Sequence, residues 1–142
     1  MAEPTRVHGI GYSLPRREDD RFIRGQGTFV GDLSVPGMVH MAILRSPVAR
    51  ARIRSINVSQ AFTLPGVIVV LTGELMAARG LAWMPTLSGD VQAVLALSEV
   101  CFQGQEVAAV IADDPYTAHD ALGLIEVDYE TLPALVDPTE AL

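Results

Sequence analysis

Lysine is absent from this chain of 142 residues, and cysteine occurs once, as Cys101. A single thiol excludes an internal disulfide and any framework of several cysteine ligands. No apolar run approaches the roughly 20 residues of a membrane-spanning helix; Val67 to Leu71 and Val107 to Ala112 are typical of what is present. The opening MAEPTRVHGI lacks the apolar stretch of a signal peptide. Together with the lone cysteine, this sets the expectation of a cytoplasmic protein.

Chemistry-bearing clusters are scarce as well. The three histidines stand at 8, 40 and 119, with no CxxC and no HxxxH spacing, so no metal site is expected. His40 reads as a core histidine and His119 as a solvated one. Cys101 has no histidine near it in sequence and reads as a small buried residue rather than a reactive thiolate. Ser46 in RSP and Ser88 in LSGD lack the strained Gly-x-Ser-x-Gly elbow of a serine nucleophile. GQGTFV at 25–30 carries two of the three glycines of a dinucleotide fingerprint, neither follows a clear strand nor opens a helix, and is assigned to turn geometry. Asp113 and Asp114 precede Pro115 as a helix cap would. The expected number of catalytic residues is therefore none.

What is present suffices for one folded domain. Hydrophobic residues make up 49% and charged residues 19%, too apolar for a disordered chain. Charge is segregated: residues 1–54 hold nine arginines against five acids, a net +4, and residues 55–142 hold one against twelve, a net −11, together −7. Arginine without lysine suits bidentate pairing with carboxylates. The basic third is expected to dock on the acidic remainder or on a protein partner, and no nucleic acid is expected because the chain as a whole repels phosphate.

Residues 1–37 are rich in glycine and read as an extended N-terminal arm. Within it, EDDRFIRG places acids at the start of a short helix, arginines toward its end and Gly25 at a left-handed cap, with Phe22 and Ile23 as anchors. The compact part, residues 38–142, opens with MVHMAILR, apolar on both faces and expected to be covered on both. ARIRSI alternates Ala51, Ile53 and Ser55 against Arg52 and Arg54. Ser59 is expected to cap a short helix stopped by Pro65 and Gly66, VIVVL (67–71) to be a central strand, and Thr72 to cap a helix ending at Arg79 and Gly80. Residues 80–98 read as a long loop carrying Trp83 and Met84. Then come a strand from Glu106 to Ala112, a helix capped by Asp114 with a stripe of Ala118, Ala121, Leu122 and Ile125, and a one-sided strand in IEVDY. QGQE at 103–106 reads as a turn, with its Gln and Glu side chains meeting solvent or a neighbouring domain. The strand–helix–strand order predicts the α/β (α+β) class: a mixed sheet with packed helices, preceded by the arm.

Several stretches carry a family likeness. Arg16, Glu18, Asp19, Arg21, Phe22, Gly25 and Gly27 follow R-x-E-D-x-R-F…G-x-G. Pro36 to His40 follow L-P-G-M-L-H from its proline on, and Arg45 to Ile53 follow R-S-P-x-A-H-A-x-I. Leu64 to Val67, Thr72-Gly73 and Glu126 to Pro133 follow L-P-G-V, T-G and E-V-D-Y-E-x-L-P. In these the chain resembles the N-terminal α/β hammerhead domain of the large chain of molybdenum hydroxylases, the xanthine dehydrogenase and aldehyde oxidase family. GLAWMPTLSGDVQAVLA and FQGQEVA are most similar to the branch of the aerobic carbon monoxide dehydrogenase large chain. Phe29, Gly31 and Arg50 depart from the tyrosine, aspartate and histidine of the pattern.

The resemblance implies an oxidoreductase part that holds no cofactor itself. The whole enzyme would use molybdopterin cytosine dinucleotide, 2Fe-2S clusters and FAD, and would pass electrons from substrate through molybdenum and iron-sulfur to flavin. Its expected partners are a molybdenum-binding domain or chain, an iron-sulfur subunit and an FAD subunit. The interface candidates are Arg21, Phe22, Arg24, Arg45, Arg50, Trp83 and Met84, since arginine and aromatic residues dominate interface energetics. The alternative is a stand-alone module that binds a small ligand or a protein.

Overall fold

The computed structural model describes residues 9–11, 13, 16–86 and 91–140. His8 and Ser88 lie outside the described residues. The chain divides into two compact units, Met1–Pro36 and Gly37–Leu142.

The first unit holds one helix, α1 (Asp19–Ile23), and a 3-10 turn, Val30–Asp32. Asp19 and Asp20 stand in the first turn of α1, where the exposed N–H groups favour negative charge. Arg24 reaches back one turn to Asp20 at 2.8 Å, and Gly25 takes the left-handed φ of 67° that ends the helix. Phe22 stacks on Phe29 with ring centroids 5.3 Å apart. Ile23, expected as a second anchor, is exposed.

The second unit contains β1 (His40–Arg45), β2 (Ala51–Asn57), α2 (Ser59–Thr63), β3 (Val67–Thr72), α3 (Gly73–Ala78), β4 (Trp83–Pro85), β5 (Val91–Ala93), β6 (Glu99–Val100), β7 (Glu106–Ala112), α4 (Pro115–Leu122) and β8 (Glu126–Thr131). The strands form sheets ordered β1-β7-β3, β6-β2-β8 and β4-β5. The expected α/β class is observed, but every pairing among the described residues is antiparallel rather than mixed. β7 and β8 flank α4 as a βαβ unit would, yet they belong to different sheets, so α4 joins two sheets instead of crossing over one.

The core is built from small side chains. Ala42 and Ala112 of the first sheet meet Ala118 of α4. Val70, Ala108 and Val110 meet Ala61 of α2 and Ala121 of α4. The largest fully buried side chains are the valines Val100, Val107 and Val110. Alanine is a poor strand former, but its small volume lets a helix settle close on the sheet, and close packing repays the lost propensity.

Position in the sheet corrects several local expectations. β7, not β3, is the central strand: it is flanked by β1 and β3 and is buried almost throughout. β3 is an edge strand, and the register shift between Val67 and Val69 leaves Ile68 exposed. β1 is covered on one face only, for Ala42 is buried while Met41 is exposed. In β2 a shift between Ile53 and Ser55 inserts Arg54 as an extra residue, so Ile56 rather than Ser55 turns into the core. Ser59 does not cap α2; the Asn57 side-chain oxygen accepts its N–H at 3.1 Å. Thr72 does cap α3, accepting the Leu75 N–H at 3.3 Å.

Asp114 caps α4 as expected. Its carboxylate accepts the N–H groups of Tyr116 at 2.9 Å and Thr117 at 3.0 Å, and also the Thr117 hydroxyl. That hydroxyl foremost, then the backbone bonds, holds the Asp114 pKa below its ordinary value. The expected long loop at 80–98 instead contains β4 and β5, paired Trp83 to Ala93 and Pro85 to Val91. Strands of three residues are too short to register as periodicity.

Candidate interaction surface

The QGQE turn is the organising feature of one end of the second unit. Gly104 adopts a φ of 91°, open to glycine without strain. Its N–H donates to Ser46 O at 2.9 Å, and Ser46 N–H donates to Gln105 O at 2.8 Å, lacing the turn to the corner after β1. The Gln105 side-chain oxygen accepts the Cys101 N–H at 2.6 Å. Arg45 donates to Gly104 O at 2.8 Å and to Glu106 at 2.7 Å. The Gln105 and Glu106 side chains are thus bonded within the domain, Glu106 staying partly in solvent, while Gln103 is exposed as expected.

Ser46 of the Arg-Ser-Pro corner is buried, its hydroxyl donating to Val48 O at 2.8 Å. It also meets Tyr129, whose phenol is pushed up by burial and partly eased by that hydroxyl. The corner is structural: a polar side chain taken from water with its partners supplied.

Arg45, Arg50, Arg52 and Arg54 of the second unit find carboxylates in the acidic part of the chain. Arg45 meets Glu106 at 2.7 Å, Arg50 meets Glu99 at 3.0 Å, and Arg52 and Arg54 meet Glu130 at 3.9 and 3.4 Å. These pairs fix side-chain position more than they stabilise, since each exposed pair is worth about 0–1 kcal/mol. Arg45 and Arg50, expected as interface residues, each hold one of these pairs and remain exposed in part. Arg21 and Arg24 lie in the first unit, Arg21 over the Phe22 ring at 5.3 Å and Arg24 on Asp20.

Trp83 and Met84 are exposed on β4, and Trp83 retains 58% of its surface in water. Beside them the structure exposes residues that sequence reasoning passed over. Cys101, expected to be buried, is exposed where the chain leaves the two-residue β6 ahead of the bend at Phe102. Phe102 is 48% exposed. Ala49, Arg50, Glu99, Cys101 and Phe102 line a cleft of about 410 Å³ whose far wall is Ala134, Leu135 and Val136. A second cleft of about 320 Å³ runs from Cys101 and Phe102 to Trp83 and Val91. The signal available in the sequence was apolar residues placed next to turn formers, as in Phe102-Gln103-Gly104 and in Leu135-Val136 after Pro133.

Among the described residues no group of three or more His, Cys, Asp or Glu is placed to hold a metal ion. His40 is half-buried and His119 exposed, apart from any such group. Iron-sulfur clusters are held by several cysteine thiolates, and this chain has one. Its residues do not fit such a cluster. No helix among the described residues is long and apolar enough to cross a membrane.

Comparison with known proteins gives a consistent result. Residues 24–133 match the family model described as aldehyde oxidase and xanthine dehydrogenase, a/b hammerhead domain. The chain is 52% identical to the carbon monoxide dehydrogenase large chain of Afipia carboxidovorans, over 99% of its own length and 18% of that protein. It is 52% identical to the counterpart from Hydrogenophaga pseudoflava, over 89% of its length and 16% of that protein. A crystal structure of a Cu,Mo-CO dehydrogenase in its carbon monoxide reduced state superposes with a TM-score of 0.82 at 53% identity, over 94% of this chain and 17% of that one. The chain therefore spans less than a fifth of the length of these relatives.

Proposed function

The chain belongs to the aldehyde oxidase and xanthine dehydrogenase a/b hammerhead domain family of molybdenum hydroxylases, and from that premise we propose that it is a non-catalytic structural part of a carbon monoxide dehydrogenase-like enzyme. In this reading it packs with a molybdenum-binding domain or chain, an iron-sulfur subunit and an FAD subunit, in the cytoplasm. Those other parts carry the molybdopterin cytosine dinucleotide, the 2Fe-2S clusters and the FAD. The molybdenum centre, when present in the whole enzyme, supplies the two-electron oxidation of carbon monoxide to carbon dioxide. No step of that reaction is assigned to a residue of this chain.

The supporting observation is the asymmetry of the match, which takes in 99% of this chain and 18% of its relative. The side chains fit the same reading. The Arg–Glu pairs, the laced turn at Gly104 and the capped helix are scaffold devices, and beside them large apolar side chains such as Trp83 and Phe102 stand exposed. Residues 1–37 serve as an arm and 38–142 as the domain, with Arg21, Phe22 and Arg24 of the arm and Arg45, Arg50, Trp83 and Met84 of the domain as contact residues.

The test is reconstitution. The remaining large-chain domains and the two partner subunits are combined with and without this chain, and carbon monoxide oxidation is followed with an artificial electron acceptor. Assembly and turnover are expected only when the chain is present. Full turnover without it sinks the proposal, as does oxidation of carbon monoxide by the chain unaided.

A further inference from the structure

A third cleft, of about 240 Å³, opens where the β2 bulge faces the start of α3, and it is polar where the other two are apolar. Two backbone contacts fix its walls. The Ile53 N–H donates to Ser98 O at 2.9 Å, which holds the segment ahead of β6 against β2. Gly73 lies so close to residues 95–96 that a Cβ would stand 2.2 Å from the Ala96 oxygen, which brings the first turn of α3 against that same segment. Walls set in this way by backbone cost a ligand little reorganisation.

Charges of both signs line the cleft, and both are left short of partners. Arg54, the extra residue of the bulge, reaches Glu130 only at 3.4 Å, and Glu130 is shared with Arg52 at 3.9 Å. One carboxylate thus serves two guanidiniums, each beyond the roughly 2.7–2.9 Å of a full charge-assisted bond. Glu74 stands in the first turn of α3. Among the described residues its carboxylate and the hydroxyls of Ser55 and Ser98 have no hydrogen-bond or ion-pair partner. A simple anion is opposed there by Glu74 and a simple cation by Arg54, and no group of three metal ligands is present among the described residues. A ligand carrying both charges satisfies both walls. We propose that this cleft binds a free α-amino acid, its carboxylate on Arg54, its ammonium on Glu74 and the two serine hydroxyls, and its side chain on Ile53 and Leu97. Such a site is independent of the assembly proposed above, and either can fail without the other.

The test titrates the isotopically labelled chain with L-valine and follows the Arg54 Nε–H and the amides of Ser55, Glu74 and Ser98 by NMR. Saturable shifts at these groups are expected, with a Kd on the order of 1 mM for a ligand of this size. Isobutylamine, which is valine without its carboxylate, and isovalerate, which is valine without its ammonium, should each bind roughly tenfold more weakly or worse, since each leaves one charged wall unpaired. Arg54→Gln and Glu74→Gln should weaken L-valine by a similar factor. Both side chains are exposed, so the variants should melt as the wild type does.

The two analogues keep the test decisive if a variant does not fold, because they leave the chain unaltered. Either analogue binding as tightly as L-valine overturns the proposal in favour of a plain cation or anion site. Shifts that do not saturate, or that fall away from the cleft, overturn it as well. Equilibrium dialysis of radiolabelled L-valine against the chain within the assembled enzyme covers the case of a chain that does not fold alone. Absence of saturable binding in both settings sinks the proposal and leaves the proposed function standing.

Discussion

Strand β7 and the β4-β5 hairpin are both apolar in sequence, yet they lie at opposite extremes of burial. β7 runs between β1 and β3 with four consecutive buried residues, Val107 to Val110. The hairpin has only its own two strands and leaves Trp83, Met84 and Val91 in water. The strand uses small side chains that suit a crowded interior, whereas the hairpin carries a large aromatic and a thioether that suit contact with another surface. The contrast separates what builds this domain from what the domain presents.

The sharpest way to break this contrast is to put a charge into β7. Val110→Asp buries an unpaired carboxylate in the main cluster and is expected to cost more than about 4 kcal/mol. Far-UV circular dichroism should show no cooperative melt; a stable, cooperatively melting variant would mean β7 is not the centre of the core. Next in size is Gly73→Ala. A Cβ there would stand 2.2 Å from the Ala96 carbonyl oxygen, and backbone cannot rotate away as a side chain can. The expected loss is on the order of 2 kcal/mol, read as a lower urea midpoint at unchanged m-value.

The glycine of Thr72-Gly73 thus has a physical reason, close approach of α3 to residues 95–96, which the motif alone could not disclose. The same holds for much of the fold. The caps at Thr72 and Asp114, the strand at 106–112 and the one-sided β8 were legible in local residue chemistry, because a cap or a two-residue alternation involves neighbours in sequence. The central place of β7, the bulge at Arg54 and the hairpin were not, because each depends on which strand lies alongside. Of the candidate site, Trp83 and Met84 were legible as an unplaced apolar stretch. The exposure of Cys101 follows from where the short β6 ends, and the wall at Leu135-Val136 arises only when the chain after β8 is led back to Arg50.

A smaller effect sharpens the scaffold side of the comparison. Asp114→Ala removes three hydrogen-bond acceptor contacts from the start of α4 and should lower the melting temperature at neutral pH. The Asp114 pKa is lowered in the folded state, so its stabilisation is fully present above the unfolded value near 3.8 and is lost as pH falls through the folded value. The difference between wild type and variant should accordingly shrink on acidification below pH 3.8. A difference that stays constant down to strong acid would place the effect elsewhere than in the carboxylate.

The smallest expected change lies in the hairpin itself. Trp83→Ala should alter the stability of the isolated chain by less than about 0.5 kcal/mol, measured by urea titration, while weakening assembly with the large-chain remainder. A loss comparable to that of Gly73→Ala would show that the hairpin belongs to the core and dissolve the contrast. Arg50→Ala should likewise fall within about 0–1 kcal/mol, and its effect should fade with added salt.

By itself the sequence determined the class of fold, the local caps and turns, the segregation of arginine from carboxylate and the lack of cysteines for a cluster, because composition and nearest-neighbour chemistry suffice for these. Only the tertiary structure decided which strand is central, which arginine meets which glutamate and which apolar side chains are left outside. Those outcomes depend on residues far apart in the chain coming together, and burial is a property of the assembled surface rather than of any one segment.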